Sequence, residues 1–150
     1  MTMRNLSHRL PPLGILSAYI LSLLCNFSAA ICATAIQIPM HITATVLYLS
    51  AWILFFIFCK SHTKTLYRLA FIYWLCVLIY ATGNLFCVIF NTGFSVIGFA
   101  NIIIAGLIAP LMGIYLLPGN NDMLPAILGA IIPAAFAAIC IIKISRSAKA

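Results

Sequence analysis

The chain has 150 residues, 65% of them hydrophobic and only 6% charged, with eight Lys or Arg against a single Asp or Glu and a formal net charge of +7. Soluble domains are near half apolar and a quarter charged, so this composition excludes a water-soluble fold and leaves no length for a soluble domain beside the apolar runs. A nucleic-acid surface is excluded as well, because it would gather basic residues and aromatics on one folded face, whereas here the basic residues sit in three separated places.

Those places are Arg4 and Arg9, then Lys60, Lys64 and Arg68, then Lys143, Arg146 and Lys149. Between them lie uncharged stretches of about 20 residues, the length a helix needs to cross a hydrocarbon core of roughly 30 Å. The fold class expected is therefore an all-α polytopic membrane helix bundle, a single transmembrane domain with helices at 13–36, 41–59, 69–90, 95–117 and 123–142.

The first run follows a basic tail closed by Pro11-Pro12. Ala33-Thr34-Ala35 resembles a small-residue cleavage site, but the apolar stretch exceeds the 7–15 residues usual for a secretory signal, which favours an uncleaved helix. Along it Ala18, Ser22, Asn26, Ala30 and Thr34 recur every four residues and share one face. Residues 37–40 read as a tight turn because Pro39 restricts its predecessor to extended conformations. The second run, bulky with Trp52, Phe55, Phe56 and Phe58, suits lipid contact or packing and ends at Lys60.

Residues 60–68 read as a polar connection. The third run carries Tyr67, Tyr73 and Trp74 near its start, where amphipathic rings favour the headgroup zone. Asn91-Thr92-Gly93 signals a turn. The fourth run has a small-residue stripe at Asn101, Ala105, Ala109 and Gly113, and the fifth has another at Ala126, Ala130, Ala134 and Ala138. Small residues four apart let helices approach closely in lipid, so these two helices are expected to pack as an antiparallel hairpin across the Pro118–Asp122 turn.

Charge and length disagree about topology. With the N-terminus in the cytoplasm, five crossings place Lys143, Arg146 and Lys149 outside, while four would put all eight basic residues inside, as basic residues prefer. The fourth run, interrupted by Gly98, Gly106, Pro110 and Gly113, is the one that would fall short, since broken backbone at membrane depth must be buried in protein or line a cavity. Hydrophobic length favours five crossings.

Chemistry is sparse. The six cysteines show no CxxC and no zinc spacing, so they read as small buried hydrophobes. His8, His41 and His62 lie at run edges, so no buried histidine and no bis-histidine haem is expected; Cys59 with His62 supplies only two ligands. Asp122 sits in a turn, and no ionisable group falls inside a run, which removes the usual carriers of proton coupling and of acid–base catalysis. No catalytic residue, metal or cofactor is expected.

The best polar constellation is a small outward-facing pocket of Asn26, Gln37, His41, Asn84 and Asn101. The plainer alternative is that these amides join helices, at about 0.6 kcal/mol per contact. Three functions remain open: an accessory, assembly or immunity-type subunit acting through helix contacts, with the bilayer, another membrane protein or further copies as partners; a small transporter or channel for a neutral or apolar solute; and, furthest from the residues, an enzyme acting on lipid. The absence of long loops suits a bacterial inner membrane.

Overall fold

The computed structural model describes the backbone of residues 3–32, 38–59, 64–90, 105–116 and 123–147, and the side chains of 13–27, 39–59, 64–90, 105–116 and 123–146. Among the described residues all regular structure is helical. Five helices follow one another: α1 (Met3–Cys32), α2 (Ile38–Phe58), α3 (Lys64–Phe90), α4 (Ala105–Tyr115) and α5 (Met123–Ser147). Three stretches, Pro39–Phe58, Lys64–Phe90 and Met123–Arg146, are long and apolar enough to cross a membrane.

Three helices begin earlier than the apolar runs suggest. α1 starts at Met3 and includes Pro11 and Pro12, which were expected to close a tail. Neither proline can donate to the carbonyl four residues back, so the helix passes through a local gap in its ladder at Ser7 and His8. α2 starts at Ile38, so the expected turn at 37–40 is helical from its second residue. Pro39 falls in the first turn, where a missing N–H costs nothing and a fixed φ suits the helix. α3 starts at Lys64 rather than 69, because Lys and Arg are good helix formers whose long stems lie along an apolar surface.

Contacts divide the chain into two units, Met1–Cys59 with Ile97–Leu117, and Lys60–Val96 with Pro118–Ala150. In the first unit α1 and α2 form an antiparallel hairpin. The rings of Tyr19 and Tyr48 lie 6.1 Å apart, and seven residues further up α1 Asn26 meets His41, seven residues back along α2. α4 lies against both. Its Gly106 bonds Tyr19 and its Pro110 bonds Ser22, so α4 runs parallel to α1 and antiparallel to α2.

In the second unit α3 packs along α5. Trp74 and Phe136 stack with centroids 4.6 Å apart and planes 23° from parallel, an offset geometry favoured by aromatic quadrupoles. Tyr67, Ala70, Trp74, Val77 and Ala81 form the buried stripe of α3, at the three- and four-residue steps that keep one helix face. Tyr67 and Trp74 are packed against protein, each 0% exposed. On α2, Trp52, Phe55 and Phe56 are likewise buried, and only Phe58 is fully turned outward.

The two small-residue stripes have different fates. Ala105, Ala109 and Gly113 are all buried, with α4 seated on α1 and α2. On α5, Ala126 is buried and Ala130 half-buried, but Ala134 and Ala138 are exposed. The buried face of α5 is instead Ala126, Gly129, Pro133, Phe136, Ala137 and Cys140, and its partner is α3. A strict four-residue repeat drifts around a 3.6-residue helix, and Phe136 with Pro133 contributes more packing area toward α3 than Ala134 or Ala138.

Candidate functional site

The site is built on an interruption in α4. Pro110 has no N–H, so the Gly106 carbonyl, four residues earlier, loses its helical donor. At the same point the helix tightens to a 3-10 turn over Ala109–Leu111, and the Met112 N–H bonds the Ala109 carbonyl. That carbonyl would otherwise take the Gly113 N–H, which is released. Such freed backbone groups at membrane depth must find partners on neighbouring helices.

Each does. The Tyr19 hydroxyl donates to the Gly106 carbonyl at 2.9 Å. The Ser22 hydroxyl donates to the Pro110 carbonyl at 3.2 Å. The Gly113 N–H donates to Thr45 Oγ1 at 3.0 Å. α1 supplies the first two partners and α2 the third, so both arms of the hairpin hold the broken helix.

Asn26 joins these partners to one another. Its Nδ2 donates to Ser22 Oγ at 3.4 Å and to Thr45 Oγ1 at 3.2 Å. The Ser22 hydrogen is committed to Pro110, so Ser22 Oγ receives from Asn26, which orients the amide. Asn26 Oδ1 then faces His41 Nδ1 at 2.8 Å. A carbonyl oxygen only accepts, so His41 Nδ1 is the donor in this bond. Ser22 and Asn26 are 0% exposed, Thr45 2% and His41 3%.

His41 corrects the expectation that no helix holds a buried histidine. It lies near the run's edge in sequence, but the early start of α2 brings it one turn into the helix, on the face that meets α1. Of the five residues expected to form a pocket, Asn26 and His41 meet directly. Asn84 lies half-buried on α3, in the other unit. Gln37 and Asn101 fall outside the described residues.

Ser22, Thr45 and Tyr19 complete the cluster, and sequence reasoning did not assign them to it. The signal was present: Ser22 and Asn26 are four apart on α1, and His41 and Thr45 four apart on α2. Two such polar pairs on successive helices are the pattern of an interhelical seam.

The backbones approach very closely here. A Cβ placed on Gly113 would lie 2.5 Å from the His41 carbonyl oxygen, 2.6 Å from Thr45 Oγ1 and 2.8 Å from the Ile42 Cα. Gly106, one helical stretch earlier, has nothing within 4 Å of such a Cβ. An open groove of about 300 Å³ between α1 and α2 is lined by Leu21, Cys25, Pro39, Met40, Thr43, Ala44 and Leu47. None of the clustered polar residues lines it, so the cluster is a packed seam and the groove is a separate apolar surface. His41 Nδ1 faces the Asn26 amide oxygen rather than a hydroxyl. Among the described residues no three His, Cys, Asp or Glu side chains gather as a metal site.

Compared with known proteins, the chain matches no family model, no curated protein and no solved structure.

Proposed function

We propose that this is a small multi-pass membrane protein that works without catalysis, through helix–helix contacts, as an accessory or assembly subunit. The observation that supports it is the use made of the polar side chains. Tyr19, Ser22, Asn26, His41 and Thr45 are all engaged in bonds that tie one helix to another. The outward faces are apolar, with Ile53, Ile57 and Phe58 exposed on α2 and Ile72, Ile79 and Phe86 on α3. Such faces suit a lipid bilayer, a helix of another membrane protein or a second copy of the chain. A bacterial inner membrane and a cytoplasmic N-terminus fit the short loops and the basic residues around Arg4 and Arg9.

The test is particle mass in a mild detergent, after correction for bound detergent. Stable association with a partner chain or with further copies is expected. A particle that is always a single chain, at every detergent and lipid content tried, overturns the assembly role.

One observation favours a second reading, a small transporter or channel for a neutral or apolar solute. His41 is a titratable side chain inside the buried seam, and ionisable groups within membrane proteins commonly mark transport paths. Separate replacement of Asn26, His41, Asn84 and Asn101, with flux measured in proteoliposomes, distinguishes the two. Lost flux at unchanged thermal stability supports transport; lowered stability alone supports the seam.

A further inference from the structure

We infer that Lys64, Arg68, Lys143 and Arg146 gather at one end of the α3–α5 pair and there bind the phosphate of an anionic phospholipid whose headgroup carries no compensating amine. All four belong to one unit of the chain, two on each helix. α3 begins at Lys64 and α5 ends at Ser147, so the basic residues occupy the start of one helix and the last turns of the other. They meet only where the two helices run in opposite directions.

The ring stack sets that direction. Trp74 and Phe136, with centroids 4.6 Å apart, share one level along the pair. Arg68 lies six residues from Trp74, about 9 Å along the axis, and Lys143 seven residues from Phe136, about 10 Å. Away from these, the helices continue uncharged to Phe90 and to Met123, about 24 and 20 Å from the stack. Were the helices parallel, Arg68 and Lys143 would stand on opposite sides of the stack only about 20 Å apart. That is less than a hydrocarbon core of about 30 Å, so a bare cation would lie within it. With the helices antiparallel, the two basic boundaries coincide. The uncharged lengths, about 33 Å on α3 and 30 Å on α5, then overlie one another and match the core.

The four cations then form two tiers. Arg68 and Lys143 stand at the edge of the hydrocarbon, about 10 Å from the stack. Lys64 and Arg146, each ten residues from its ring, stand about one helical turn further out. Each tier takes one residue from each helix, one Lys and one Arg. Lys143 continues the buried stripe of α5 three residues past Cys140, and Lys64 lies three residues before Tyr67 on that of α3. Both lysines are half-buried, while Arg68 and Arg146 are exposed. The lysines therefore sit at the mouth of the seam and the arginines on its rim.

Charge and depth select the ligand. Among the described residues there is no acidic side chain, so no carboxylate there neutralises the cluster. Phospholipid phosphates lie in the polar zone just outside the hydrocarbon, the level between the two tiers, and basic residues at that level attract anionic lipids. Arginine offers a phosphate two parallel N–H bonds, and lysine adds a mobile point charge. A headgroup with its own ammonium brings its own counter-charge and gains less from the cluster. The acyl chains of a lipid held there continue along Leu69, Ile72, Ile141 and Ile142, which are exposed on the same two helices.

The experiment titrates the full chain, in a non-ionic detergent, with phosphatidylglycerol and separately with phosphatidylcholine, and counts bound lipid by native mass spectrometry. Phosphatidylglycerol is expected to bind about tenfold tighter or more, and less tightly at high salt. Each cation near an anionic headgroup contributes about fivefold, so Arg68→Gln combined with Lys143→Gln should weaken phosphatidylglycerol about 25-fold. Arg68→Lys combined with Lys143→Arg keeps the charge and should retain most of the binding. Equal affinity of the unmodified chain for the two lipids overturns the proposal, and so does unchanged affinity in the doubly neutralised chain. Inorganic phosphate is added as competitor: displacement of phosphatidylglycerol at millimolar concentration assigns the cluster to free phosphate and overturns the lipid reading. The assembly role does not depend on this outcome, since it is read from particle mass.

Discussion

A proline interrupts α4 at Pro110, whereas α5 runs from Met123 to Ser147 straight past Pro133. The neighbours explain the difference. Pro133 is followed by Ala134 and Ala135, then Ala137 and Ala138, the strongest helix formers available, while Pro110 has Gly106 before it and Gly113 after it. α4 thus has weak helical preference on both sides of the break, and its backbone turns to other helices for hydrogen bonds. The two units differ accordingly: the first is joined by a chain of named polar bonds, and the α3–α5 seam carries a stacked aromatic pair among small residues. Within lipid, where burying apolar surface gives no drive, shape and hydrogen bonds are the two means available, seen here at the Trp74–Phe136 stack and at the Asn26 bonds respectively.

The comparison is broken most forcefully at the ring stack. Trp74→Ala removes the largest fully buried side chain and its face on Phe136. A loss of about 3–5 kcal/mol is expected, the range for Trp or Phe truncation in a packed core, read as a lower unfolding midpoint in detergent. Trp74→Phe should recover much of it; if the two variants unfold alike, shape is not what holds α3 to α5.

Gly113→Ala comes next. The added carbon would press on the His41 carbonyl and the Ile42 backbone, which cannot swing aside as a flexible side chain can. About 1–3 kcal/mol of destabilisation is expected from overpacking. Its internal control is Gly106→Ala on the same helix, where space is open. Equal damage from both substitutions would show that the close approach at Gly113 is not what matters.

Asn26→Leu keeps much of the volume and removes the bonds to Ser22, Thr45 and His41. At about 0.6 kcal/mol per contact the loss is about 2 kcal/mol. In a double-mutant cycle with His41→Leu the two changes should be less than additive, because the second has no bond left to break. Strict additivity would remove His41 from the network.

The smallest effect is Gly106→Ala taken alone. With nothing near the new methyl group and a better helix former in place, stability should stay level or rise by up to about 1 kcal/mol.

Much of the architecture was legible in the residues. Uncharged runs between basic clusters marked all five helices, because helix length and hydrocarbon thickness leave few alternatives. Helix starts were less legible, since Lys64, Arg68 and Pro39 serve equally well in a loop or a first turn. Asn26 was visible as an amide in need of partners, and His41 was grouped with it, but its burial was not foreseen. Position along a run tells how deep a residue lies, not which way it faces, and facing depends on the register between α1 and α2. The stripe of α4 is buried at Ala105, Ala109 and Gly113, where small size meets a polar seam. On α5, Phe136 and Pro133 rather than Ala134 and Ala138 lie on the face that packs on α3.

The bonds that complete α4 also impose an order of events during synthesis. On leaving the ribosome α4 carries a carbonyl at Gly106 and an N–H at Gly113 that its own helix cannot satisfy, and lipid offers no substitute. Its partners, Tyr19, Ser22 and Thr45, all lie upstream and have already emerged. A nascent chain can therefore shelter α4 as soon as it appears, whereas a chain made without α1 would present bare backbone to the membrane and become a substrate for quality control.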